Sequence, residues 1–521
     1  MPVTPTYPGV YIQEVSSGVK TISGISTAIT AFIGSAKFGP VNEPTTIFNY
    51  GDFERGFGGL FEKSTMSFAV RDFFMNGGGQ ATIVRVTGAG ATKATIELGT
   101  VPGSIGLEAI NEGAWGKNLR AIAVPVETKF SGDMATKLGV TTGDLFTLIV
   151  QDTARNIIET FRSVTVKESA NRIDRVLKKS SQLVRVATSI SDTTPIPAVV
   201  ADPWNTASDI LWKKAGVAVD GVTISLDEIE GSESNKTGIY ALEKVDLFNI
   251  LCIPPYDFET SIDSDVWTKA AAYCEKRRAF LLVDAPFEWT TPKLASDGIT
   301  TGVGTTSKNS ALFFPAICQP NPFRGNLVEP FAPCGAVAGV MARTDGERGL
   351  WKAAAGLEAT IAAPALSVNL TDNENGLLNP LGINCLRNKP PAGRIIWGAR
   401  TLQGDDRLAS EWKYVPVRRL ALYIEECLFR GTQWVVFEPN DEPLWSQIRL
   451  NLGAFMHGLF RQGAFQGASP KEAYFVKCSS ETTTQADINN GIVNIEVGFA
   501  PLKPAEFVIL KLQQMAGKID V

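Results

Sequence analysis

Few side chains in this sequence are of the kinds that carry reactions, and their spacing suits catalysis poorly. A serine or cysteine nucleophile needs an imidazole beside it, and His457 is the one histidine. It lies in Leu452-Gly453-Ala454-Phe455-Met456-His457-Gly458-Leu459-Phe460, an apolar helical run in which a half-exposed surface histidine is the plainer reading. Neither Gly-x-Ser-x-Gly nor His-Glu-x-x-His occurs. Cysteines stand at 252, 274, 318, 334, 385, 427 and 478 with no Cys-x-x-Cys among them, which leaves a Cys/His zinc site without ligands. Scattered and odd in number, they read as buried free thiols in a reducing compartment.

Phosphate chemistry is equally poorly served. Gly116-Lys117 is followed by Asn118, so no P-loop forms. Gly77-Gly78-Gly79 follows a helical stretch and precedes a strand, whereas a phosphate wants the start of a helix. The run from Thr300 to Lys308 reads as a polar surface loop, and the pairs Asp405-Asp406 and Glu425-Glu426 as solvated faces. No cofactor, metal or catalytic residue is expected. A hydrolase on an α/β domain would need a nucleophile with a partner, and none can be named.

Composition narrows the class further. Over 521 residues, Lys and Arg number 49 against 54 Asp and Glu, a net charge of −5. That balance argues against nucleic-acid binding, which calls for clustered basic excess. Apolar residues make up 44% and charged residues 20%, typical of folded domains, and the length suggests several of them. The opening Met1-Pro2-Val3-Thr4-Pro5 does not read as a signal peptide, and no long uncharged apolar stretch suggests a membrane span. A soluble protein made in the cytosol is expected.

The elements alternate. Tyr7–Val15 is strand-prone and set apart by Ser16-Ser17-Gly18. Ala28–Gly34, a helix near Thr65–Asn76 and a strand at 82–86 form a β-helix-β unit. From about 100 to 238 the texture becomes strand-rich, with runs at Leu119–Val126, Leu145–Gln151 and Thr160–Val166. The α/β rhythm returns with Val245–Ile253, a helix near Asp265–Arg278, Ala279–Val283 and Ala311–Phe314. A helix over Cys334–Ala342 is expected to end in a loop at Thr344-Asp345-Gly346. Val417, Leu420, Ala421, Ile424, Cys427 and Leu428 keep helical spacing, with Arg418, Arg419, Glu425 and Glu426 off the stripe. A second helix runs from Pro443 towards Gln462. Strands follow at Tyr474–Cys478, at Ile492–Phe499 alternating through Val493, Ile495, Val497 and Phe499, and at Glu506–Leu512.

Several blocks resemble contractile phage tail sheath proteins. They are Tyr7–Glu14, Ile25–Gly34 with Gly39-Pro40, Ala338–Lys352, Asn384, Trp397–Leu402, Tyr414–Leu420, Phe437–Asn440, Leu444-Trp445 and Pro504–Phe507. They occur in the family's order at both ends and in the middle of the chain, and the resemblance thins out across roughly 100–238. Ala353-Ala354-Ala355-Gly356 departs from the family, which usually places a proline after the Trp-Lys.

The resemblance implies an α/β multidomain fold. A strand arm and linker occupy 1–20, the first part of an α/β core 21–99, and an inserted β-rich, sandwich-like outer domain 100–238. A central α/β domain follows over 239–400, subtilisin-like by family label and non-catalytic. A C-terminal α+β domain facing a tube spans 401–505, and a strand arm 506–521. The arms, with Tyr7, Val10, Tyr11, Ile12 and Val15 at one end and Phe507, Val508, Leu510 and Leu512 at the other, are expected to join a neighbour's sheet. That sheet would be built on Tyr474, Val476, Val493, Ile495 and Val497. Arg418, Arg419, Glu425 and Glu426 are candidates to face the tube. The implied partners are further copies in a helical sheath of stacked rings, the tail tube protein, and baseplate and tail terminator proteins. No nucleic acid and no direct membrane insertion are expected. The implied location is the virion tail, assembled in the host bacterial cytoplasm. A tailocin, an extracellular injection particle or a bacterial secretion sheath is the alternative, since these share fold and mechanism.

Overall fold

Short, wholly buried runs build the centre of the main sheet. The computed structural model describes residues 20–99, 104–204, 210–299 and 301–511. Tyr7, Val10, Tyr11, Ile12, Val15 and Leu512 lie outside these residues. Thr30–Gly34 (β1), Thr45–Ile47 (β2), Ala81–Arg85 (β3), Ile250–Cys252 (β4), Phe280–Asp284 (β5), Ser310–Phe314 (β6), Ile383–Lys389 (β7) and Gly393–Ile396 (β8) join in the order β8-β7-β6-β5-β4-β1-β3-β2. The six inner strands are parallel and the two edge strands antiparallel. Parallel sheets need cover on both faces, and the central strands are accordingly buried along their length and mostly apolar.

Alternate residues feed two cores. Ala31, Ile33, Leu251, Leu281, Val283 and Leu312 point to one face, where the helix Ser264–Lys276 (α2) brings Val266, Trp267, Ala270 and Cys274. Phe32, Ile83, Ile250, Phe280, Leu282 and Phe313 point to the other, against the helices Met66–Met75 (α1) and Cys334–Arg348 (α3). The helices α1 and α3 approach closely because glycines line the contact. A Cβ on Gly335 would land on the carbonyl oxygen of Ala69, and one on Gly339 on that of Phe73.

The helix α3 runs two turns beyond the expected end at Ala342. Thr344 turns its hydroxyl back to the carbonyl of Val340 at 2.9 Å, and Asp345 is paired with Arg419, so the polar residues are satisfied inside the helix. One interior glycine, Gly346, costs only about 1 kcal/mol against that. Gly349, at φ +92, ends it.

Between β3 and β4 the chain forms two antiparallel sheets. One joins Lys213–Lys214, Leu119–Pro125, Leu145–Asp152 and Ile157–Thr165; the other joins Thr95–Glu97, Gly106–Ala109 and Val184–Val186. They share a core of their own, including Ile96, Leu107, Phe146, Leu148 and Val164.

After β8 come the helices Val415–Gly431 (α4) and Glu442–Arg461 (α5), with Pro416 and Pro443 in their first turns, where a missing N–H costs nothing. Asp441 caps α5 by accepting from the Leu444 N–H at 3.3 Å. Their apolar stripes pack together through Leu420, Ile424, Met456 and Leu459, and through Cys427, Leu444, Ile448 and Leu452.

Candidate assembly surface

A hairpin rests on α4 and α5. Tyr474–Lys477 (β9) pairs antiparallel with Glu496–Phe499 (β10), and among the described residues neither pairs with a third strand. Tyr474, Val476, Val497 and Phe499 turn inward to the helices; Phe475, Lys477 and Glu496 turn outward. The Phe475 ring lies over Gly498, the residue opposite it, where any Cβ would collide. An isolated two-stranded sheet is marginal in water, so the helices beneath hold this one while both outer edges keep unpaired backbone groups.

The expected strand over Ile492–Phe499 begins only at Glu496. Before it, Asn494 is held by side chains, its N–H donating to Thr483 Oγ1 at 3.0 Å and its carbonyl accepting from Thr482 Oγ1 at 3.1 Å. Val493 and Ile495 precede the strand and pack, half-buried, against the α4–α5 core. So the structure brings Tyr474, Val476 and Val497 together in the hairpin, with Val493 and Ile495 beside it.

Beyond the hairpin Pro501 bridges to Phe465, and then the chain leaves. Phe507, Val508, Ile509 and Leu510 have neither helix nor strand and are 74% to 81% exposed. Four consecutive apolar residues in water are a liability unless another surface covers them.

The charged residues of α4 stand elsewhere than on an outer face. Arg418, Arg419 and Glu426 are buried, and they stitch α4 to the main sheet. Arg418 Nε donates to Asn309 Oδ1 at 2.7 Å, and its Nη1 to Glu425 Oε1 at 3.2 Å. Arg419 Nη2 donates to Asp345 Oδ2 at 2.7 Å and to the carbonyl of Thr27, just before β1, at 3.1 Å. Glu426 accepts from Arg278 at 2.8 Å and from Arg430 at 2.7 Å. Their spacing off the apolar stripe is real, but this flank of α4 lies against a second protein layer and not against solvent. Of the four, Glu425 is the exposed one.

Two features were not anticipated. Phe437 holds φ +71 with its ring wholly in solvent, a costly backbone state for a bulky residue. Glu506 is not part of a strand; it accepts two hydrogen bonds from the fully buried side chain of Arg400. A single charge directly before four apolar residues was the trace of this in the sequence.

Chemistry within the main sheet is muted by burial. At the ends of β4 and β5, Cys252, Asp284 and Cys334 cluster, the Cys334 N–H donating to Asp284 Oδ1 at 2.9 Å. Burial pushes the Asp284 carboxyl up to about 7 and both thiols above their usual range. Buried thiols held protonated are inert. No helix among the described residues is long and apolar enough to cross a membrane.

Comparison with known proteins places this architecture. Residues 231–402 match the phage tail sheath protein central domain, and residues 409–515 the phage tail sheath C-terminal domain, together more than half of the chain. The chain belongs to the phage tail sheath family. It is similar in fold to the contracted helical sheath of the anti-feeding prophage, at 24% identity and TM-score 0.56, over 98% of this chain and 100% of that one. The contracted sheath complex of an extracellular contractile injection system, PVC, is similar at 20% identity and TM-score 0.57, over 98% and 99%. A sheath tail protein from Listeria innocua is similar at 12% identity and TM-score 0.60, over 92% and 97%. A search of curated proteins gives no match.

Proposed function

We propose that this chain is the structural, non-enzymatic subunit of a contractile sheath that polymerises helically around an inner tube and shortens to drive that tube through a host envelope. The observation that carries the reading is the hairpin β9–β10, open on both edges, in a chain whose tail presents four exposed apolar residues. Strands donated by neighbours would complete the sheet. Main-chain hydrogen bonds would join subunits, and alternate side chains would fix register. The donors are Tyr7–Val15, with Tyr7, Val10, Tyr11, Ile12 and Val15, and the segment of Phe507, Val508, Leu510 and Leu512. Head-to-tail donation does not close on itself, so it yields an open helix.

Contraction then turns each subunit nearly as a rigid body while the strands stay paired. A difference of a few kcal/mol per subunit, added over many, supplies the work. The C-terminal region faces the tube, and Glu425, the exposed one of the four charged candidates, is the one that would meet it. Baseplate and terminator proteins bound the polymer at its ends, and the sheath is part of a virion tail assembled in the host cytoplasm. A second reading, the sheath of an injection particle, is favoured by the near end-to-end likeness to the anti-feeding prophage and PVC sheaths.

Deleting residues 1–15 tests the proposal. Purified full-length chain should form hollow cylinders by negative-stain electron microscopy, wide alone and narrow around its tube protein, and the truncated chain should form none. Polymers of undiminished strength from the truncated chain would overturn the strand-exchange mechanism.

A further inference from the structure

Arg400 lies beyond β8, where the chain turns towards α4. Its backbone is fixed from both sides by the buried Asn384: Oδ1 accepts from the Arg400 N–H at 2.7 Å, and Nδ2 donates to the Arg400 carbonyl at 2.7 Å. The guanidinium is held as well, Nη1 donating to Asp406 Oδ1 at 2.9 Å and to the Gly404 carbonyl at 3.1 Å. Two nitrogens remain, and both donate to Glu506: Nε to Oε1 at 2.8 Å and Nη2 to Oε2 at 2.6 Å. The Tyr414 hydroxyl adds a third bond to that carboxylate at 3.3 Å.

A two-pronged guanidinium–carboxylate pair fixes direction as well as position. Here the prongs are oriented by groups that do not depend on Glu506. The next residue, Phe507, is already 74% exposed. Pinned at one residue and free at the next, the tail takes its heading from the pin.

We propose that Arg400 and Glu506 form a clamp that aims the C-terminal tail at a second copy of this chain, an inference that rests on the strand-exchange reading above. A tail launched from a fixed point in a fixed direction samples less space, which raises its effective concentration at a neighbour's open edge. The clamp also roots the tail in the main sheet, through Asn384 on β7, and not in the hairpin alone. Tension on the tail therefore reaches the body of the subunit.

Three variants test this in the full chain, read by critical concentration for polymerisation and by thermal midpoint of the unpolymerised subunit. Inserting Gly-Ser-Gly between Glu506 and Phe507 keeps the ion pair but unties the tail from it. Its thermal midpoint should match the parent, while its critical concentration rises about tenfold or more. Glu506→Gln should raise the critical concentration similarly; if it fails to fold, the insertion alone decides. Spin labels on Ile509 and Lys389 should report a broadened distance in both. Parent-like polymerisation of the insertion variant would overturn the clamp. Chain ended after Glu506 is the control for the underlying reading: if it polymerises like the parent, strand exchange by this tail is wrong, whatever the clamp does.

Discussion

Asp345, near the end of α3, and Arg419, early in α4, form a bidentate ion pair at 3.0 and 2.7 Å with side chains only 4% and 6% exposed. Because Arg419 also reaches the Thr27 carbonyl, one guanidinium ties together the entry to the main sheet, its central helix and the C-terminal helices. The seam therefore resists relative movement of these parts, as the rigid-body turning proposed above would require.

Removing one partner strands a buried charge. Asp345→Ala should destabilise the subunit by about 3–5 kcal/mol in urea denaturation, while the apolar double variant Asp345→Leu/Arg419→Met recovers most of that. Equal loss in the double variant would show that packing, not charge, holds the seam.

The contact between α1 and α3 leaves no room for a methyl group. Gly335→Ala should cost about 1–3 kcal/mol and lower the thermal midpoint, because the obstacle is the Ala69 carbonyl in a helix backbone and not a movable side chain. Gly346→Ala, where a Cβ meets nothing, should be neutral or stabilising.

Asp284 predicts a pH dependence. Its carboxyl titrates near 7 when folded, through burial, and near 4 when unfolded. Between those values the folded state keeps a proton that the unfolded state has released, so stability falls as pH rises from about 4 to about 7 and levels off above. Asp284→Asn should remove this component. Urea midpoints at pH 5 and pH 8 should shift in the variant's favour at the higher value.

Phe437 is strained by its own backbone. Phe437→Asn, which tolerates positive φ, should stabilise the isolated subunit by about 0.5–1 kcal/mol in denaturation experiments. No gain would mean that neighbouring residues already absorb the strain.

Much of the fold was legible because burial leaves a period in the sequence. Ala31, Phe32 and Ile33 read as a fully buried strand, and the stripe from Val417 to Leu428 read as a helix with one apolar side. What did not read was the environment of charge. Arg418, Arg419 and Glu426 look like a solvated flank until Asn309, Asp345 and Arg278 arrive from distant parts of the chain. Glu506 was hidden for the same reason, its partner lying 106 positions earlier. The alternation from Val493 to Phe499 was legible too, yet side-chain bonds from Thr482 and Thr483 claimed its first half. Periodicity reports which faces are apolar; long-range polar partners leave no period to find.

The main sheet has a consequence for how the chain comes off the ribosome. The strands β1 and β4 are neighbours, yet Ile29 waits for Asn249, 220 positions later, before its N–H finds a partner. The two sheets between β3 and β4 find all their strand partners within residues 95–214 and can fold during that wait, whereas the long-range pairing is slow by its topology. The hairpin emerges after every strand of the main sheet. The open edges of the hairpin thus come last, so the receiving surface of the proposed strand exchange forms only when the chain's own core is able to close.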